Sequence, residues 1–170
     1  MALLPKVQRW LKRWRGEDRA IRAIDPAQGR TRADRAGLWG EGVAAATLEA
    51  EGYRILGRRV RVGRDELDLV ATPGRGGPRQ LVFVEVKTRA FDAFGGGRAA
   101  VDKRKRRALC RAAARYLRRM PMTPFRFDLI EVIGEEESAV PPVVRHFENV
   151  FPMELRYLHP ALHRMERPGK

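Results

Sequence analysis

Glu66-Leu67-Asp68-Leu69-Val70-Ala71 and Gln80-Leu81-Val82-Phe83-Val84-Glu85-Val86-Lys87-Thr88 read as two apolar strands interrupted by charge. Between them, Thr72-Pro73-Gly74-Arg75-Gly76-Gly77-Pro78-Arg79 has the composition of a turn. A strand alternates its faces with period two. Glu66 and Asp68 are therefore expected on one face, and Glu85 and Lys87 on one face. Facing positions of an antiparallel hairpin have a constant sum. The midpoint of 68 and 85 is 76.5, inside the turn, so Asp68 and Glu85 are expected as cross-strand neighbours with Cβ atoms roughly 5 Å apart. Two carboxylates that close repel, and the pKa of one rises. Charges in an apolar strand are costly unless something compensates them. A divalent cation held by the two acids is the compensation these positions suggest, with a structural ion-pair network as the competing reading.

Working outward, Arg35–Glu51 reads as a helix closed by Gly52, and Leu38, Glu41, Ala45 and Leu48 form one stripe of it. Glu41 thus falls on the face expected to be buried, among Gly37, Gly40 and Gly42. Its competing reading is a first-turn acid favoured by the helix dipole. Tyr53–Val62 reads as a strand preceding the hairpin. Beyond the hairpin come a loop over Phe91–Gly97 and a helix over Ala99–Arg119. Val101, Lys105, Ala108, Ala112 and Tyr116 line one side of that helix, while Arg104, Arg107 and Arg111 project elsewhere. Phe125–Ile133 reads as a fourth strand and Val143–Phe151 as a short edge strand. Helix, three strands, helix and two strands make an α/β layer protein with a mixed sheet.

The 170 residues are 44% hydrophobic, enough for one domain with some excess at the ends. Residues 34–151 are expected to form that domain. Residues 1–33 read as a basic extension, with an amphipathic segment over 3–15 and a linker, and 152–170 as a tail. No apolar run approaches a membrane span, no secretory signal is visible, and the lone Cys110 excludes a disulfide framework within the chain. A cytoplasmic, reducing location fits. His159 and His163 sit at helical spacing in the tail, but no histidine pattern of a zinc site is present.

The net charge of +14 is concentrated. Residues 1–36 carry ten Lys/Arg against four Asp/Glu, and residues 98–119 carry ten against Asp102 alone. Two basic blocks on a near-neutral body suggest a polyanion partner, nucleic acid before anionic membrane. Phosphodiester hydrolysis needs an activated water and stabilisation of an anionic transition state. A carboxylate-held divalent metal supplies both, Mg²⁺ needs only two or three carboxylates because it keeps waters, and an adjacent lysine orients the water or holds the phosphate.

Asp68 followed by Glu85-Val86-Lys87 after a hairpin resembles the PD-(D/E)xK nuclease superfamily, of restriction-endonuclease-like αβββαβ fold, in its Holliday-junction-resolvase-like branch. More narrowly, the chain resembles the YraN-like family of small bacterial proteins. Gly37-Leu38-Trp39-Gly40-Glu41, Asp65–Ala71, Leu81–Arg89, Phe94-Gly95, Ala100-Val101 with Lys105, Arg126–Leu129 and Asn149–Phe151 carry the likeness, over roughly residues 34–151. The resemblance implies a mixed central sheet flanked by helices and a Mg²⁺ (or Mn²⁺) site on Asp68 and Glu85, assisted by Glu41. It further implies Lys87 as the catalytic lysine and Lys105 as a phosphate contact. Asp65 stands where the family usually has glycine, and should face away from the metal. The implied activity is metal-dependent endonuclease cleavage of structured or branched DNA, with Lys105, Arg104, Arg107 and Arg111 gripping the backbone and a homodimer by analogy. The alternatives are a nucleic-acid-binding module of the same fold without catalysis, and a peripheral membrane or scaffold protein using residues 1–15.

Overall fold

The computed structural model describes residues 31–74, 80–91, 101–118 and 123–157. The extension to residue 30, the centre of the glycine-rich turn, Phe94-Gly95, Ala99-Ala100 and the two tail histidines lie outside the described residues. Helix α1 (Arg32–Ala50) is followed by strands β1 (Tyr53–Val62), β2 (Asp65–Pro73) and β3 (Leu81–Arg89). Helix α2 (Lys103–Leu117), β4 (Phe125–Ile133), β5 (Val143–Phe147) and a 3₁₀ turn at Leu155–Tyr157 complete the described chain. The strands form one sheet in the order β1-β2-β3-β4-β5. All neighbours are antiparallel except β3 and β4, which run parallel. A parallel pair needs a long crossover, and α2 lies within it. This is the expected α/β arrangement, compatible with a restriction-endonuclease-like core extended by β5.

The two faces of the sheet carry separate cores. Ala44, Ala45 and Leu48 of α1 pack with Leu69, Val82, Val84 and Ile130. Leu109, Ala112, Ala113 and Tyr116 of α2 pack with Leu67, Val70, Phe83, Phe127 and Leu129 on the other side. Cys110 is fully buried among them and behaves as a small apolar residue. At Gly40 a Cβ would run into the side chain of Thr88. That glycine lets α1 lie close on β3, which fixes where Glu41 enters.

Several boundaries differ from the sequence reading. Helix α1 starts at Arg32, where Thr31 and Asp34 form a reciprocal capping box. The first-turn acid is therefore Asp34, and Glu41 sits mid-helix, so the dipole reading of Glu41 is overturned. Helix α2 starts at Lys103 because Asp102 caps it by accepting from Lys105 N at 2.8 Å. Strand β5 ends at Phe147, short of the expected Phe151. Asn149 takes a left-handed φ of 50°, and its N–H donates to Asp128 Oδ1 at 2.9 Å. That turn sends Phe151 back into the core, where it stacks on Phe127 at 4.7 Å.

The hairpin register holds to the arithmetic. Leu69 pairs with Val84, Val70 with Phe83 and Ala71 with Val82, and the position sum they share is that of Asp68 and Glu85, just beyond the paired ladder. The expected common face of Glu66 and Asp68 does not hold. Leu67 belongs to the α2-side core and Leu69 to the α1-side core, so the alternation breaks at Asp68. Opposite it in the β1–β2 ladder stands Arg59, a non-glycine residue with φ 48°. Arg58 pairs with Glu49 of α1, and Arg59 approaches Glu41 of α1, so both lie on that side. The left-handed residue rotates the faces, leaving Glu66 with the arginines of β1 and turning Asp68 toward α2.

Candidate active site

Glu85 and Lys87 extend the parity of Leu81 and Phe83 along β3, facing α2. Glu85 has a side chain only 2% exposed. Lys87 Nζ lies 3.0 Å from its Oε1, and Lys105 Nζ of α2 lies 2.8 Å from its Oε2. Asp68 approaches from β2, its Oδ2 accepting from Val86 N at 2.9 Å, with Lys105 Nζ 3.9 Å from its Oδ1. Burial, together with the adjacent Glu85 charge, pushes the Asp68 pKa up to about 8, against the pull of Lys105 and the Val86 N–H. Burial works against the Lys105 charge, but Asp68 and Glu85 outweigh it and raise its pKa. The result is a small cup of two acids and two ammonium groups between β2, β3 and the start of α2.

The residues fit a divalent cation. Glu85 Oε2 is buried with no hydrogen bond of good geometry, only the close ammonium. Two carboxylates on neighbouring strands supply the hard oxygens that Mg²⁺ and Mn²⁺ prefer. Glu41 stands on α1 with Arg59 Nε 4.0 Å from its Oε2, and its oxygens do not converge with those of Asp68 and Glu85 to metal-sharing distance. Burial raises its pKa; Arg59 opposes this, while Glu66 and Glu85 add to it. It therefore feels the cup's charge from the α1 side. Glu66 is held by Arg59 and Arg61 at 3.2 and 3.4 Å and belongs to that β1 network.

The basic residues of α2 divide. Lys105 turns to the acids. Arg111 spends its fork on Asp65, at 2.7 and 2.6 Å, with Arg115 3.5 Å away. Asp65 is thereby occupied in anchoring α2 to the start of β2. Arg107 comes within 3.8 Å of Glu154. Arg104 and Arg107 line an open cleft of about 710 Å³ with Arg64 and Lys103.

One buried acid escaped the sequence reading. Glu131 of β4 is 1% exposed, shares the parity of Phe127 and Leu129, and is the cross-strand partner of Lys87. Arg89 lies 4.0 Å from it. The rule that singled out Glu85, a charge at a core-facing position of an apolar strand, also applies to Glu131.

A second polar cluster joins Asp128, His146 and Glu148, and these three present ligand atoms close enough for a metal. Arg126 already fills it, with Nε 3.0 Å from Asp128 Oδ1 and Nη2 2.8 Å from Glu148. His146 bridges Asp128 and Glu51 at 3.0 and 3.1 Å. This is a closed structural network that ties β4 to β5 and α1.

Residues 40–132 match the model of the Uncharacterised protein family UPF0102. The chain belongs to that family. Under its other name, this is the YraN family whose resemblance the motifs carry. A UPF0102 protein of Syntrophotalea carbinolica is 40% identical over 120 residues, 69% of this chain and 92% of that protein. One from Symbiobacterium thermophilum is 46% identical over 100 residues, covering 58% and 81%. A third, from Xanthomonas oryzae, is 41% identical over 114 residues, covering 65% and 86%. The UPF0102 match spans Glu41, Asp68, Glu85, Lys87 and Lys105, so the whole cup lies within the family's segment. Among the described residues no helix is long and apolar enough to cross a membrane.

Proposed function

We propose that this UPF0102 domain is a metal-dependent endonuclease that hydrolyses phosphodiester bonds in structured or branched DNA. The observation carrying the reading is the buried pair Asp68 and Glu85 with Lys87 3.0 Å from Glu85. Asp68 and Glu85 would hold Mg²⁺ or Mn²⁺, with Glu41 assisting from α1. When bound, the ion supplies Lewis-acid stabilisation of the phosphoryl oxygens and a more acidic water. Lys87, one-third exposed at the rim, is placed to orient that water or hold the scissile phosphate. The cleft of Arg64, Lys103, Arg104 and Arg107 offers backbone contacts without base readout. A buried single cysteine suits a reducing cytoplasm.

Lys105 also supports a second reading. Its ammonium already neutralises Glu85, as expected of a nucleic-acid-binding module that keeps the fold and does no chemistry. A DNA panel separates the two. Duplex, flap, four-way junction and single strand are incubated with the protein in Mg²⁺, Mn²⁺ or chelator. Cleavage of branched forms, abolished by chelation, is the expected result. Tight, salt-sensitive binding with no cutting in any metal overturns the enzyme in favour of the binding module.

A further inference from the structure

The cup already holds two ammonium groups against its acids, and that constrains how a divalent cation enters. Each oxygen of Glu85 has its own ammonium: Oε1 takes Lys87 at 3.0 Å and Oε2 takes Lys105 at 2.8 Å. Lys105 also leans toward Asp68, at 3.9 Å. A divalent ion held by the two acids must ligate carboxylate oxygens that Lys105 now occupies. With both ammonium groups retained, it would also leave the buried cup with two excess positive charges. One ammonium has to leave.

Lys105 is the one placed to leave. Lys87 stands on a central strand, bonded on one side to Glu85 and flanked on β4 by the buried Glu131. Lys105 is in the first turn of α2, where the helix dipole disfavours a positive charge. Its side chain is one-third exposed, as is that of Lys87, so position on the helix rather than exposure separates the two. Its neighbours Lys103, Arg104 and Arg107 border the basic cleft, in which a phosphate is the natural counter-charge. We infer that Lys105 is a built-in counter-cation. It holds Asp68 and Glu85 together in the metal-free protein, is displaced by the divalent metal, and on release becomes a ligand for a DNA phosphate.

The inference rests on the metal site proposed above and adds a coupling to it. A metal that frees Lys105 creates a phosphate contact, and a phosphate that captures Lys105 opens the metal site. Binding linkage is reciprocal, so each ligand tightens the other by the same factor. Part of the work of selecting DNA is thereby assigned to the entry of the ion.

The test is binding, read without turnover. Mn²⁺ affinity is measured by electron paramagnetic resonance on the wild type, Glu85→Ala, Lys105→Met, Lys105→Gln and Arg104→Met, the last controlling for loss of one positive charge from the same helical turn. The Lys105 variants should bind Mn²⁺ at least tenfold more tightly than Arg104→Met, and should melt below the wild type when metal is absent. A short phosphorothioate duplex that resists cleavage should tighten Mn²⁺ binding to the wild type and not to Lys105→Met. If the wild type binds Mn²⁺ in a Glu85-dependent way and the Lys105 variants bind no more tightly than Arg104→Met, the counter-cation role is wrong and the metal site stands. If neither the wild type nor any Lys105 variant binds, both readings fall together.

Discussion

Replacing Arg111 by Ala separates a structural arginine from a DNA-gripping one. Its guanidinium makes two short bonds to Asp65, at 2.7 and 2.6 Å, and the Asp65 side chain is 6% exposed. Removing one partner of a buried pair costs about 3–5 kcal/mol. Arg111 is itself 24% exposed and Arg115 remains 3.5 Å from Asp65, so screening and the substitute partner reduce the loss to about 2 kcal/mol. For a domain of this size that is a fall in Tm of about 4–8 °C. The acid dependence has a definite sign. Hydrogen bonds from Arg111, opposed by burial, hold the Asp65 carboxyl below its usual range. Its stabilisation is therefore present above the unfolded carboxylate pKa and is lost as pH falls through the lower native one. Thermal melts by circular dichroism should show the wild-type-to-variant gap at pH 7 closing on acidification below about pH 4. A variant that melts like the wild type at pH 7 yet binds DNA more weakly would refute the reasoning and return Arg111 to the phosphate-contacting set.

With Asp68 pushed up to about 8 by burial and by Glu85, metal entry at pH 7 must expel its proton. Mn²⁺ affinity should rise about tenfold per pH unit up to that value and then level off, and calorimetry in buffers of different ionisation enthalpy should show about one proton released. The His146 pKa is raised: burial lowers it, but hydrogen bonds and charge from Asp128 and Glu51 outweigh the burial. Its stabilisation is complete below the unfolded histidine value and is lost as pH rises through the native one. Urea unfolding from pH 6 to 9 should show a declining stability that His146→Gln flattens. Gly40→Ala should lower Tm because its methyl meets Thr88. Gly42→Ala, with open space at its Cβ, should raise stability by up to about 1 kcal/mol. Equal effects at the two glycines would contradict the close packing of α1 on β3.

The hairpin was legible because its signals are local. Apolar runs, a glycine-rich break and a constant position sum fix which residues oppose one another, and β1 and β4 follow from the same periodicity. The start of α2 was available at Asp102, a capping residue directly before Lys103. The rotation at Arg59 was not legible, since nothing in an arginine announces φ 48°. That one residue decides which side of the sheet Glu66 and Asp68 take. Spacing did put Lys105 on the inward stripe of α2, but it could not show that Arg111 is claimed by Asp65 from another element. Glu131 needed only the parity rule applied to one more strand. Periodicity located the cup, and tertiary partners determined the use of the cations around it.

The central claim is that Asp68 and Glu85 hold a catalytic metal beside Lys87. Single-turnover cleavage of a four-way DNA junction in Mn²⁺, by wild type, Glu85→Ala and Lys87→Ala purified side by side, tests it most directly. The account predicts cutting by the wild type, with at least a hundredfold loss in either variant while junction binding is kept. Equal cutting by all three proteins would contradict it.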